Sequence, residues 1–264
     1  MRVHTYRKLE VFIDRWLSGM IDLLIIESKP GLGKSHLVRE KLREIKHMAV
    51  NSHSTPLSTY KNLYYNRGKL VWFDDVDHLL LNKTSLALLK QVCESSEVKK
   101  VSYFTTSDLI GNVPQEFVTT SSVLVTCNAL DNNNIHLQAI KDRGFYIQFM
   151  PTKKEIIKKL QEVTMNYPLL EQKEKEQVLN LIESNAQNIK NLTLRSLIKG
   201  FQLFRYYKFK GIDWREDLLK ELGLNEKLVQ INKLLIRHNS DIERLKEWKW
   251  SRQSFYTYKK LVEV

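Results

Sequence analysis

The chain has 264 residues, room for two domains, and its apolar fraction of 42% is enough for a sizeable core. Charged residues make up 27% and the formal net charge is +12, which excludes an acidic disordered chain. Residues 1–150 carry +4 of that charge and residues 151–264 carry +8. The second part therefore has the composition of a surface for nucleic acid or another polyanion, or of a solvated lysine-rich helical face.

The first residues, MRVHTYRKLEVFIDRW, scatter charge throughout and lack the apolar stretch of a signal peptide. Residues 5–18 have the spacing of an amphipathic helix, with Leu9, Phe12, Ile13, Trp16 and Leu17 on one face. DLLIIE, residues 22–27, is an apolar run of strand length, and KSHLVREKLREIKHM after it returns to helical spacing. Between them lies SKPGLGKSH. Strand, glycine-containing loop and helix is the setting of the phosphate-binding motif G-x-x-x-x-G-K-[ST].

Here Ser28 stands where the first glycine belongs, and Lys29, Pro30, Gly31, Leu32 and Gly33 lead to Lys34, Ser35 and His36. The two retained glycines lie just before the lysine, where the backbone comes closest to phosphate, so serine at the strand exit is compatible with binding. The following helix directs its positive end at the anion. Lys34 is the residue expected on the β- and γ-phosphates of ATP, and the Ser35 hydroxyl is expected on Mg2+.

After the stretch HMAV and a polar segment around Pro56, a tyrosine-rich segment leads to LVWFDD. Leu70–Phe73 reads as a second buried strand delivering Asp74 and Asp75: Asp74 for Mg2+, Asp75 for orienting the attacking water. SLALLKQVCE is a helix. VSYFTTSD and EFVTTSS flank a Gly-Asn-Val-Pro turn in the pattern of a hairpin. Val123–Thr126 is a further strand, ending in Cys127 and Asn128, and FYIQFM follows Asp142-Arg143-Gly144 as another. Apolar strands alternating with helices indicate a parallel sheet covered on both faces, with functional groups at its C-terminal ends. Neither Cys93 nor Cys127 has a histidine or cysteine at ligand spacing, which reads as reduced thiols of a cytoplasmic protein. No apolar run approaches membrane-spanning length, so no membrane partner is expected.

From Pro151 the chain reads as nearly all helix: KKEIIKKLQEV, EKEQVLNLIE, LTLRSLIKGFQLFRYYKF, WREDLLKEL and a final pair. That pair, SDIERLKEWKWSRQSFYTYKKLVEV, has the pattern of a DNA-binding helix-turn-helix, or of a helical hairpin that packs on the preceding helices or contacts a protein partner. Ile242, Leu245, Trp248, Phe255, Tyr258 and Leu261 are expected inward. Arg252, Gln253, Ser254 and Tyr256 are expected toward a DNA groove, with Lys259 and Lys260 toward phosphates. The expected organisation is an α/β nucleotide-binding core over 1–150, a helical lid over 151–210 and a basic helical segment over 211–264.

In the order PGLGKS, LVWFDD, VLVTCN, KDRG and LTLRSL, the chain resembles the AAA+ ATPases across roughly residues 20–205, and is similar in scale to compact members from phages and mobile elements. The resemblance implies a P-loop NTPase fold and an oligomeric ATPase, such as a ring. It implies that Asn128 contacts the γ-phosphate or the attacking water, that Arg143 is an arginine finger presented to a neighbouring subunit, and that Arg195 on the helical lid contacts the nucleotide. Asp75 departs from the glutamate most members carry, and the DD pair is frequent among helicase loaders and replication initiators. The expected activity is Mg2+-dependent ATP hydrolysis by a DNA-associated factor in helicase loading, replication or transposition, with a helicase or another protein as partner. The alternatives are a protein-remodelling chaperone and a slow nucleotide-gated assembly switch. Tyr60–Lys69 and Tyr103–Phe117 are expected as aromatic loops facing a central pore.

Overall fold

Strands that are apolar on both faces need partners along both edges, and here they find them in one sheet. The computed structural model describes residues 1–51, 54–75, 82–128, 130 and 135–262. The chain forms two compact units, Met1–Pro151 and Thr152–Val264.

The first unit opens with β1 (Arg2–Val3) and α1 (Tyr6–Leu17), whose start is capped by the Thr5 hydroxyl and whose buried face is Leu9, Phe12, Ile13 and Trp16. There follow β2 (Leu23–Glu27), α2 (Lys34–Lys41), β3 (His47–Asn51), α3 (Pro56–Tyr65), β4 (Leu70–Asp74) and α4 (Lys83–Val92). β5 (Lys99–Ser102) and β6 (Glu116–Thr119) pair antiparallel by themselves. β7 (Val123–Cys127), α5 (Ile135–Lys141) and β8 (Phe145–Phe149) complete the unit. Six strands form a parallel sheet in the order β1-β8-β2-β7-β4-β3. Three strands distant in sequence, β2, β7 and β4, are thus adjacent at its centre.

The tyrosine-rich segment is a helix, not a pore loop. Thr55 caps it and Pro56 occupies its first turn, a combination that starts helices efficiently. Tyr60 is fully buried, donates its hydroxyl to the Pro114 carbonyl (2.7 Å) and packs on Tyr103 and Phe117. These aromatics hold the β5–β6 hairpin against α3 instead of facing an opening. Lys99, also fully buried, ties the same hairpin to the sheet through the Ser121 carbonyl (2.6 Å) and the Asp22 carboxylate (2.9 Å).

The second unit is helical: α6 (Lys153–Asn166), α7 (Gln172–Ser184), α8 (Leu194–Lys208), α9 (Arg215–Glu221), α10 (Glu226–Arg237), α11 (Asp241–Glu247) and α12 (Arg252–Val262). Leu160, Val178, Ile182, Leu197, Phe201, Leu218 and Ile231 are buried in it, and the Asn185 and Asn232 amides bond each other reciprocally (2.8 Å). Among the described residues no helix is long and apolar enough to cross a membrane.

Candidate functional site

Because β2, β7 and β4 are neighbours and parallel, their C-terminal ends bring the phosphate-type loop, Asn128 and the two aspartates together. The Ser35 hydroxyl donates to Asp74 Oδ1 (2.6 Å). Lys34 Nζ donates to Asn128 Oδ1 (2.7 Å) and to the Ser28 carbonyl (3.4 Å), and Asn128 Nδ2 donates to Asp75 Oδ1 (2.6 Å). Ser28, Lys34 and Asp74 are all buried. The serine that replaces the first glycine joins β2 to β7, its N–H donating to the Cys127 carbonyl (3.2 Å).

The loop backbone explains its two glycines. Gly31 and Gly33 have φ of 81° and 83°, a region that costs a residue with Cβ about 1 kcal/mol or more. The N–H groups of Gly31, Leu32, Gly33 and Ser35 make no hydrogen bond to any described residue. These four form a row of donors unmatched among the described residues at the start of α2, the electrostatic requirement for holding an anion. Asp75 is the described non-glycine residue with positive φ (54°). Its N–H donates to the Thr126 carbonyl (3.0 Å), so the chain turns sharply as β4 ends and aims the carboxylate at Asn128.

Four residues that the sequence did not single out hold this arrangement. Thr126, fully buried on β7, donates to Asp74 Oδ1 (2.8 Å) and accepts from Trp72 Nε1 (3.1 Å). The Arg39 guanidinium lies 3.6 Å from Asp74 Oδ2 and near the Trp72 ring. The Tyr6 hydroxyl donates to the Leu32 carbonyl (3.1 Å) inside the loop. Only register could have marked Thr126: it is the residue opposite Asp74.

No family model and no curated protein matches the chain. Among solved structures, a RuvB point mutant from Thermotoga maritima matches with a TM-score of 0.51 at 14% identity, over 95% of this chain and 79% of that one. Its fold is that of the AAA+ P-loop ATPases. Two further matches are domain III of the Thermotoga maritima replication initiation protein DnaA (TM-score 0.49, 17% identity, 80% of this chain and 91% of that one) and the Bacillus subtilis DNA clamp loader delta protein YqeN (0.37, 15%, 95% and 71%).

Within this AAA+ fold Arg143 lies far from the loop of its own chain. It precedes β8, and a Cβ on the next residue, Gly144, would come 2.5 Å from the carbonyl oxygen of Leu23 at the start of β2. From Leu23 to Ser28 the strand spans about 16 Å, so Arg143 is at the opposite end of the sheet. It is exposed, with Nη1 donating to the Lys90 carbonyl (2.6 Å). Arg195 is exposed in the first turn of α8, in the second unit.

The last two helices depart from the expected packing. Trp248 and Phe255 are buried against each other and α12 lies on α10, but Ile242 is 71% exposed and Leu261 45%. Lys259 Nζ bonds Asp241 Oδ2 (2.6 Å) and is not free for a phosphate. Lys259 and the Arg244 guanidinium hold the Asp241 carboxyl below its usual range. The solvent face of α12 is Arg252, Gln253, Tyr256, Thr257 and Lys260, with Ser254 turned partly inward.

Proposed function

We propose that the chain binds ATP with Mg2+ at residues 28–36, hydrolyses it, and acts on DNA as an oligomer. The observation that carries the nucleotide half is the linked set Lys34–Asn128–Asp75 beside Ser35–Asp74 at three adjacent strand ends. The residues fit both groups. A row of unmatched N–H donors with a buried lysine suits a polyphosphate. A hydroxyl and a carboxylate 2.6 Å apart supply the hard oxygens magnesium prefers. Among the described residues no three His, Cys, Asp or Glu side chains could hold a metal by themselves. An ion at this site would be held by Ser35 and Asp74 together with substrate phosphates.

In this reading Lys34 exchanges its neutral acceptors, Asn128 Oδ1 and the Ser28 carbonyl, for phosphate oxygens. Bound Mg2+ supplies charge neutralisation at the phosphates. Asp75 accepts a hydrogen bond from the attacking water and takes its proton as the water oxygen bonds the γ-phosphorus and ADP leaves. The Asn128 amide fixes the direction of that carboxylate. The aspartate is one methylene shorter than glutamate and is already engaged by Asn128, which favours slow turnover.

Arg143 cannot serve its own loop, and this supports a role at the site of a second copy. DNA as the anionic partner is supported by the +8 of residues 151–264 and by the basic outer face of α12. The test is phosphate release from ATP with and without magnesium, repeated with single-stranded DNA, duplex DNA and an unfolded protein. Release that needs magnesium and rises with either DNA supports the proposal. Stimulation by unfolded protein alone would replace DNA with a polypeptide substrate.

A further inference from the structure

We infer that Tyr6 is a positioning residue for the nucleotide: its hydroxyl fixes the Leu32–Gly33 peptide so that the Gly33 N–H is turned toward the phosphates. This role rests on the nucleotide reading above. Its structural basis starts at the sheet edge. Val3 pairs with Phe149, the Met150 N–H donates to the Val3 carbonyl (2.8 Å), and His4 Nδ1 lies 2.8 Å from the Met150 carbonyl oxygen. Residues 4–6 therefore leave the sheet at the same end as the loop after β2. Thr5 caps α1, which fixes Tyr6 as its first residue. The Tyr6 ring is buried edge-on to Phe149 (centroids 5.1 Å apart), and its hydroxyl reaches the Leu32 carbonyl.

A trans peptide is planar, and its C=O and N–H point in opposite directions. Tying the Leu32 oxygen to Tyr6 therefore sends the Gly33 N–H away from Tyr6. The Leu32 side chain is buried, but glycines flank it and glycine adopts positive and negative φ almost equally, so the hydroxyl is what selects between the two orientations of this peptide. A flipped peptide would present a carbonyl dipole to the phosphates and withdraw a donor. The Tyr6 hydroxyl removes that alternative before the ligand arrives, so less ordering is left for binding to accomplish.

The experiment uses the full chain with Tyr6→Phe, which keeps the ring and its packing on Phe149 and deletes only the hydroxyl. Affinities for ATP and ADP are measured in the presence of magnesium, together with the melting temperature of the nucleotide-free protein and, for ATP, kcat and KM. One net hydrogen bond corresponds to about a 3- to 10-fold change. The expected result is that loss for ATP and ADP alike and a KM that rises while kcat holds, with the nucleotide-free melting temperature lowered by no more than the few degrees that one buried hydrogen bond carries. Wild-type affinity in the variant overturns the inference, as does a fall in kcat at an unchanged KM, which would make the hydroxyl merely structural. If the unaltered chain binds neither nucleotide, the nucleotide reading itself fails and this inference goes with it.

Discussion

Replacing Thr126 by valine removes one hydroxyl from the centre of the site with almost no change of volume. That hydroxyl donates to the Asp74 carboxylate at 2.8 Å and receives the Trp72 indole N–H at 3.1 Å. A hydrogen bond to a charged group is worth about 1.5–3 kcal/mol, and a buried donor left unmatched costs about 1–3 kcal/mol. Trp72 is buried, so water does not replace the missing acceptor. Allowing for relaxation, Thr126→Val should lose about 3 kcal/mol, or roughly 6–12 °C of melting temperature for a chain of this size. Thr126→Ser retains the hydroxyl and should recover most of it. Differential scanning calorimetry without nucleotide or magnesium measures this. The magnesium concentration needed for ATP binding should also rise in the valine variant, because Asp74 loses the donor that fixes one oxygen. Equal melting temperatures for wild type and Thr126→Val would refute the reasoning.

An arginine acting across a subunit interface predicts complementation: Arg143→Ala and Lys34→Ala chains, each inactive alone, should regain part of the ATPase activity when mixed, whereas no recovery at any ratio would argue against a shared site. Charge reversal of Arg252 and Lys260 on the outer face of α12 should weaken DNA binding and flatten the log–log salt slope by about 0.9 for each DNA phosphate no longer neutralised; an unchanged slope would make α12 a protein-docking face. Burial pushes the Cys93 thiol up to about 12 from 9.0 and, with Glu116 nearby, the Tyr60 hydroxyl up to about 12 from 10.0. Burial and the Glu27 carboxylate also raise Tyr146. These groups keep protons that the unfolded chain releases, so their contribution is intact below about pH 9 and is lost as pH rises toward 12. The urea midpoint should fall between pH 8 and pH 10.5, and a constant midpoint would contradict the burial of these groups.

The residues gathered at the strand ends were legible because each ends an apolar run: a strand buried on both faces leaves its polar residues only at its tips. What brings them together was not legible. The pairing of β2 with β7 and β7 with β4 joins segments about 50 to 100 residues apart, and nothing local encodes it. Thr126 and Trp72 look like ordinary strand residues until the register sets Thr126 against Asp74. Tyr6 looks like one more apolar position on an amphipathic helix. The error at Tyr60 has the same root, since a tyrosine's hydroxyl suggests solvent while its ring fills a core. In the helical unit α10 was missed although Asn225 caps it and Leu228, Val229, Ile231 and Leu234 form its buried face. At the C-terminus Lys259 was expected toward a phosphate, but Asp241 claims it, which only tertiary packing reveals.

The central claim is that the loop ending in Lys34 and Ser35 holds a nucleotide. Equilibrium titration of ATP in the presence of magnesium, into the wild-type chain and into Lys34→Ala, tests it most directly. Lys34 is buried and supplies the charge, and removing one member of a buried charge pair costs about 2–5 kcal/mol, or roughly 30- to 4000-fold in affinity. The expected result is saturable binding by the wild type that the substitution weakens by at least that lower factor, with the nucleotide-free variant still folded. Equal affinity of the two proteins, or no binding by a folded wild type, would contradict it.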